Sequence, residues 1–332
     1  MRKTAAALFV AGFSVFSAVA AAETPVFSLP ADCALGETCW LVNFVDHDPG
    51  PGATDHRCGH LTYDTHKGTD IAIRNDAAMR AGVDVLAAAP GTVTGLRDGM
   101  PDSTRADLES GRPIRGRECG NGVVIEHGGG WSTQYCHMGA GSLRVRVGDR
   151  VGRGDVLGRI GKSGRSEFPH VHMAVRNGER VVDPFTGRGA LAMCNPDPAL
   201  DGLWDPVLKA KLAYPGPQPF HLGFATGKPN KADIEAGRLD DRAFGPEIGA
   251  LVFWAEAFSL DRGDKVHLTL RAPGGGLVAE NRITVDRPLA KAFWFVGRKR
   301  RGDAWATGDY TGTIEITRAD ATVTRSAAAT VE

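Results

Sequence analysis

The chain has 332 residues, with 39 basic side chains against 39 acidic ones and 42% hydrophobic residues. That balance gives no electrostatic case for nucleic acid as a partner or for an anionic surface. No apolar run beyond the N-terminus reaches the length of a membrane span, so no membrane insertion of the mature chain is expected.

In chain order, residues 1–22 read as a secretory signal peptide. "MRK" is the positive n-region, "TAAALFVAGFSVFSAVA" the apolar stretch, and Ala20-Ala21-Ala22 an A-x-A cleavage site before Glu23. This predicts a periplasmic or secreted protein. Roughly 310 residues then remain, more than one domain usually holds, so two are expected. All six cysteines, Cys33, Cys39, Cys58, Cys119, Cys136 and Cys194, follow the cleavage site. An even count in an exported chain predicts disulfides, and the lack of a C-x-x-C pair argues against a cysteine-ligated zinc ribbon. Cys119 and Cys136 flank "GNGVVIEHGGGWSTQY", which reads as a hairpin, and are the best local pair. Cys33 with Cys39 closes a short loop, leaving Cys58 with Cys194.

Residues 23–58 are expected to pack as an N-terminal segment on a core domain over 59–194. That core consists of short β-branched runs broken by glycine, such as "DVLAAAPGTVTGL", "LRVRVGDRVGRGDVLGRIG" and "HVHMAVRNGERVVDP". The polar run from Arg97 to Glu118 interrupts it, and loops of that length are often functional. A Pro-rich linker is predicted over 195–219, followed over 220–332 by an immunoglobulin-like β-sandwich with "GALVFWAEAF", "KVHLTLRAPGG" and "GDYTGTIEITR". The predicted fold class is all-β. This second half is expected to lack any histidine–carboxylate cluster, and His221 and His267 read as ordinary surface or strand residues.

The chemistry concentrates in "THKGTD", "YCHM" and "PHVHM". Gly68 breaks any helix between His66 and Asp70, so the pair reads as a turn entering a strand. His170 and His172, two apart on a strand, project from one face. His137 closes the second strand of the hairpin. Three imidazoles and a carboxylate, with one histidine more, suit a catalytic zinc, which takes three protein ligands and keeps one position open. No "HExxH" occurs, so a histidine must serve as base. His127 reads as structural, and His47, His56 and His60 have no defensible ligand spacing.

Together "HKGTD", "VLAAAPGTV", "CGNGVVIEHGGGWSTQYCHM", "VRVGDRVGRGDVLGRIGKSG" and "PHVHMAV" resemble the LytM/lysostaphin-type zinc metallopeptidases, which cleave peptide bonds in bacterial cell walls. The resemblance covers about Gly59 to Pro184. It implies a compact β-sheet peptidase core, Zn2+ held by His66, Asp70 and His172, and catalytic roles for His137 and His170. It also implies a peptidoglycan peptide as substrate. The Arg97–Glu118 insertion departs from the family, being longer than its core requires, and is expected to form one wall of the groove. Two alternatives are a secreted metalloproteinase acting on glycine-rich proteins or foreign walls, and a non-catalytic regulator of other wall hydrolases. Binding of wall polymer or a protein partner is left to the C-terminal sandwich.

Overall fold

The computed structural model describes residues 23–103, 107, 110, 114, 116–197 and 202–332. The expected signal peptide lies outside them, as does much of the Arg97–Glu118 insertion. The first ten strands are β1 (Cys39–Asn43), β2 (Thr69–Ile73), β3 (Asp84–Leu86), β4 (Gly91–Arg97), β5 (Asn121–Gly128), β6 (Trp131–Met138), β7 (Arg150–Val151), β8 (Val156–Arg159), β9 (His170–Asn177) and β10 (Arg180–Val182). Antiparallel pairing orders the main sheet β1-β2-β9-β6-β5-β4-β7, with β10 on β9 and β3 paired to β8 apart from it. The hairpin is present: Gly129 and Gly130 carry φ of 58° and 81° between β5 and β6, a left-handed turn that matches strand twist and favours glycine.

One face of this sheet is apolar. Leu41, Ile71, Ile73, Val123, Ile125, Tyr135, Val171 and Met173 are buried in a single core. The period of two puts Trp40, Val42, Asp70, Ala72, His170 and His172 on the other face. The segment before residue 58 does more than pack on the sheet, since it supplies edge strand β1. The Pro-rich stretch is partly built into the core too: Leu203, Trp204 and Leu212 are buried there, and Phe27 N–H donates to Leu203 O at 2.7 Å. Three disulfides join Cys33 to Cys39, Cys58 to Cys194 and Cys119 to Cys136.

The second half holds β11 (Gln218–Ala225), β12 (Ala243–Phe244), β13 (Ala250–Leu260), β14 (Lys265–Arg271), β15 (Leu277–Thr284), β16 (Leu289–Lys299), β17 (Gly308–Arg318) and β18 (Ala321–Val331). They form a three-stranded sheet, β11-β13-β16, and a five-stranded sheet, β12-β18-β17-β14-β15. All eleven residues of β13 are buried because both its faces are covered. Leu251, Phe253, Ala255 and Ala257 meet Leu268, Leu270, Ile314 and Ile316 of the other sheet in one core. On the opposite face Val252 and Trp254 pack with Ile234, while Phe258 joins Phe220, Trp40, Val42 and Ala72.

The second half does contain histidine–carboxylate clusters. His221, buried on β11, lies 3.1 Å from Glu256 and 3.0 Å from Asp240, and Lys291 reaches Glu256 at 2.9 Å. His267 contacts Glu280 and Glu315. These partners come from separate strands and loops, so no spacing along the chain could announce them.

Candidate metal centre

Each of the five predicted residues is delivered by main-chain geometry. Register in the sheet puts Asp70 opposite His172, and Ala72 opposite His170. Cys136 also faces His172, which brings His137 alongside. His66 arrives from the turn before β2. Gly68 in that turn is obligatory: a Cβ there would sit 2.6 Å from Met173 O and 2.7 Å from the His172 ring.

His66 Nε2, Asp70 Oδ1 and His172 Nδ1 form a triangle. Its edges are 3.1 Å from His66 to Asp70, 3.0 Å from His66 to His172 and 2.8 Å from His172 to Asp70. His66 uses its Nδ1–H on Phe44 O at 2.6 Å, so in the neutral ring Nε2 presents a lone pair to the other two atoms. Three electron-rich atoms aimed at one point suit a cation between them. Donors tetrahedrally placed about 2.0–2.1 Å from zinc lie about 3.3 Å apart, close to the edges observed. The residues present therefore fit a divalent metal, and among the described residues they are the one histidine, cysteine or acidic group arranged in this way. Asn43 Nδ2 donates to Asp70 Oδ2 at 2.9 Å, holding the carboxylate from behind as outer partners of ligands do.

Electrostatics follow from burial. Burial alone disfavours charge on Asp70. The surrounding rings of His66, His170 and His172 outweigh that and hold its carboxyl well below the usual carboxylate range. His137 goes the other way: burial, then the neighbouring His170 and His172, push its proton affinity well below the ordinary histidine value.

His137 and His170 stand beside the triangle, ring centroids 4.6 Å apart. Each has its Nδ1–H tied to a main-chain carbonyl, His137 to Ser163 O and His170 to Phe168 O, both at 2.8 Å. That fixes the tautomer and leaves Nε2 free, and His170 Nε2 lies 3.7 Å from Asp70 Oδ1. His137 adopts φ 63°, a conformation that costs a non-glycine residue ~1–3 kcal/mol and persists only where neighbours enforce it. The Cys119–Cys136 disulfide and the Cys119 O bond to His137 N–H, 2.8 Å, do so here.

His66, His137 and His172 line an open groove of about 520 Å3, together with Tyr63, Lys67, Glu118, Gln134, Arg165 and Arg176 among others. Glu118 places the C-terminal end of the polar insertion on its wall. The Tyr63 ring sits 4.4 Å from that of His66. Sequence reading did not reach Asn43, Phe44, Ser163 or Phe168, which act through main-chain carbonyls or a cross-strand register. Only the strand-end position of Asn43 was a usable signal. Of the other histidines in this half, His127 bonds Pro90 O and Thr133, and buried His47 and His56 flank Asp183.

Comparison with known proteins gives a span that begins slightly later and ends at the same residue. Residues 64–184 match Peptidase family M23. The chain carries an M23 peptidase domain. Over 97 residues it is 35% identical to the DD-carboxypeptidase/endopeptidase Mpg of Neisseria meningitidis serogroup B, covering 28% of this chain and 22% of that protein. Over 53 residues it is 42% identical to the peptidoglycan DD-endopeptidase ShyA of Vibrio cholerae serotype O1, covering 16% of this chain and 12% of the relative. The chain thus spans about a fifth or less of the length of these curated relatives. The catalytic domain of the prophage-encoded M23 protein EnpA from Enterococcus faecalis aligns with 47% of this chain and 87% of its own, at 24% identity and a TM-score of 0.30. The M23 domain contains all five site residues and most of the groove.

Proposed function

We propose that this chain is a zinc-dependent endopeptidase that hydrolyses peptide bonds in peptidoglycan, working outside the cytoplasm. The observation that carries this reading is the convergence of three ligand atoms beneath an open groove, with two tautomer-locked imidazoles beside them. The relative named as a peptidoglycan DD-endopeptidase supports the substrate class. Three disulfides support an oxidising compartment. No helix among the described residues is long and apolar enough to cross a membrane.

In this reading His66, Asp70 and His172 hold the ion. Bound there, zinc supplies a Lewis acid that polarises a scissile carbonyl and lowers the pKa of water towards neutrality. The protein does the rest. His137, kept neutral by burial, accepts a proton at Nε2 from the attacking water, and its Nδ1–H stays on Ser163 O. His170 Nε2, likewise unprotonated because its Nδ1–H stays on Phe168 O, accepts a hydrogen bond from the attacking water and orients it, and His137 then returns the proton from Nε2 to the leaving amine. Asn43 keeps Asp70 oriented throughout.

The test is digestion of purified peptidoglycan by the full chain, with products separated and identified, beside a glycine-rich protein as second substrate. New peptide termini from peptidoglycan that vanish with a chelator and return with zinc are the expected result. Cleavage of the glycine-rich protein alone would replace the substrate assignment, and binding without cleavage would replace the enzyme by a regulator.

A further inference from the structure

The second half of the chain docks on the same sheet face that carries the site. Along that face, register places Trp40 opposite Ala72, and Ala72 opposite His170, in one continuous row across β1, β2 and β9. Trp40, Val42 and Ala72 are covered by Phe220 and Phe258. Phe220 and Phe258 stack at 4.0 Å, and Trp40 lies 5.3 Å from Phe220. The cover therefore ends one strand short of a proposed catalytic imidazole.

What fills that last step is Phe168. Its ring packs 5.7 Å from Phe258 on one side and 5.0 Å from His170 on the other. Its carbonyl accepts the His170 Nδ1–H at 2.8 Å. Ser166 Oγ donates to that same carbonyl at 2.8 Å and lies 3.2 Å from His170 Nδ1. Phe168 precedes β9, and its ring packs against the aromatic cluster between the two halves.

Phe258 is aimed at this spot by a local device. Along β13, odd residues from 251 to 257 face the core of the second half, and even ones face outward. Ser259 has φ 61° and is buried. After it the phase reverses, so Leu260 returns to the core. Phe258 is thus the last outward residue, fixed by a strained neighbour whose carbonyl is held by Arg318 at 2.7 Å. Strain of this kind survives where surrounding contacts enforce it and concentrates at functional places.

We infer that Phe258 is a positioning residue for the M23 site: through the Phe168 ring it holds the Phe168 carbonyl where it fixes the tautomer and orientation of His170. The inference rests on the proposed catalytic role of His170, but its geometry can be read without turnover. The second half then contributes no catalytic side chain and still completes the site.

The experiment uses the full chain as wild type, Phe258→Ala, Phe258→Leu, Phe168→Ala and the Phe168→Ala/Phe258→Ala double variant. Imidazole nitrogen NMR of His170 reads the tautomer, and hydrolysis of a wall-derived peptide gives kcat and KM beside metal content. Phe258→Ala is expected to lose the single Nδ1–H state of His170. It should also lower kcat by up to about 10²-fold, the scale of a misplaced group, with KM and metal content unchanged. Phe258→Leu should recover most of both, and the double variant should be no worse than Phe168→Ala. If Phe258→Ala does not fold, an intermediate shift of the His170 tautomer in Phe258→Leu gives the same support, and an unchanged tautomer there refutes the inference. An unchanged His170 signal and kcat in folded Phe258→Ala, or additive losses in the double variant, would overturn it. A wild type that shows the Nδ1–H state, loses it on substitution and hydrolyses nothing would leave the positioning intact and remove the proposed function.

Discussion

Among the buried histidine–carboxylate clusters of the described residues, the one around Asp70 and the one around Glu256 lie on either side of the boundary between the two halves, and they are built on opposite plans. Around Asp70, the histidine protons point outward to main-chain carbonyls of Phe44, Ser163 and Phe168, and unprotonated nitrogens face inward. Around Glu256, both nitrogens of His221 meet carboxylates, and Lys291 closes the remaining side. The first arrangement leaves electron pairs without a partner under an open groove. The second satisfies itself with opposite charges. The same residue types therefore make a site in one case and a clamp in the other, and the direction of the Nδ1–H bonds decides which.

This contrast can be broken most severely at the ligands. Asp70→Ala should abolish hydrolysis and metal binding together, with the disulfide-stapled fold retained by circular dichroism. Full activity in metal-free protein would contradict the reading. His137→Ala and His170→Ala should each keep the metal and lose ~10²–10⁴-fold in kcat, the usual worth of general acid–base help; steady-state kinetics beside metal analysis check it.

The closed cluster should respond in stability and leave the chemistry alone. Glu256→Ala removes the carboxylate that Lys291 and His221 Nδ1 share in the interior, leaving His221 only Asp240, and should cost up to about 3–5 kcal/mol, the scale for a buried pair broken on one side, read by chemical denaturation. Burial opposes the charge of Glu256, but His221 and Lys291 outweigh it and lower its pKa from the ordinary value. A lowered value stabilises the fold above the unfolded pKa of about 4.3, and that stability is lost as pH falls through the depressed folded value. Unfolding measured from pH 6 down to pH 3 should show this loss, and Glu256→Gln should flatten it. Smaller again, replacing Cys119 and Cys136 by serine should cost ~2–4 kcal/mol and relax the strained backbone at His137, lowering kcat more than metal content.

The sequence made the open site legible because its residues sit in short, local signatures: a glycine-broken turn, a hairpin end and an i, i+2 pair on a strand. Its disulfide partners could be guessed from loop closure. The closed cluster was invisible because His221, Asp240, Glu256 and Lys291 meet only through the pairing of β11, β13 and β16. For the same reason the row Trp40–Ala72–His170 could not be foreseen, since a one-residue change of register would turn each side chain to the other face. The Pro-rich stretch read as a linker from composition, and nothing in composition shows that Trp204 is buried.

The most direct test is metal stoichiometry in His170→Ala against His172→Ala, purified as full chains under identical conditions. These neighbours share a strand and a face, yet only His172 places a nitrogen in the triangle with His66 and Asp70. The account predicts about one zinc per chain in His170→Ala and essentially none in His172→Ala. Zinc lost from His170→Ala and retained by His172→Ala would contradict it.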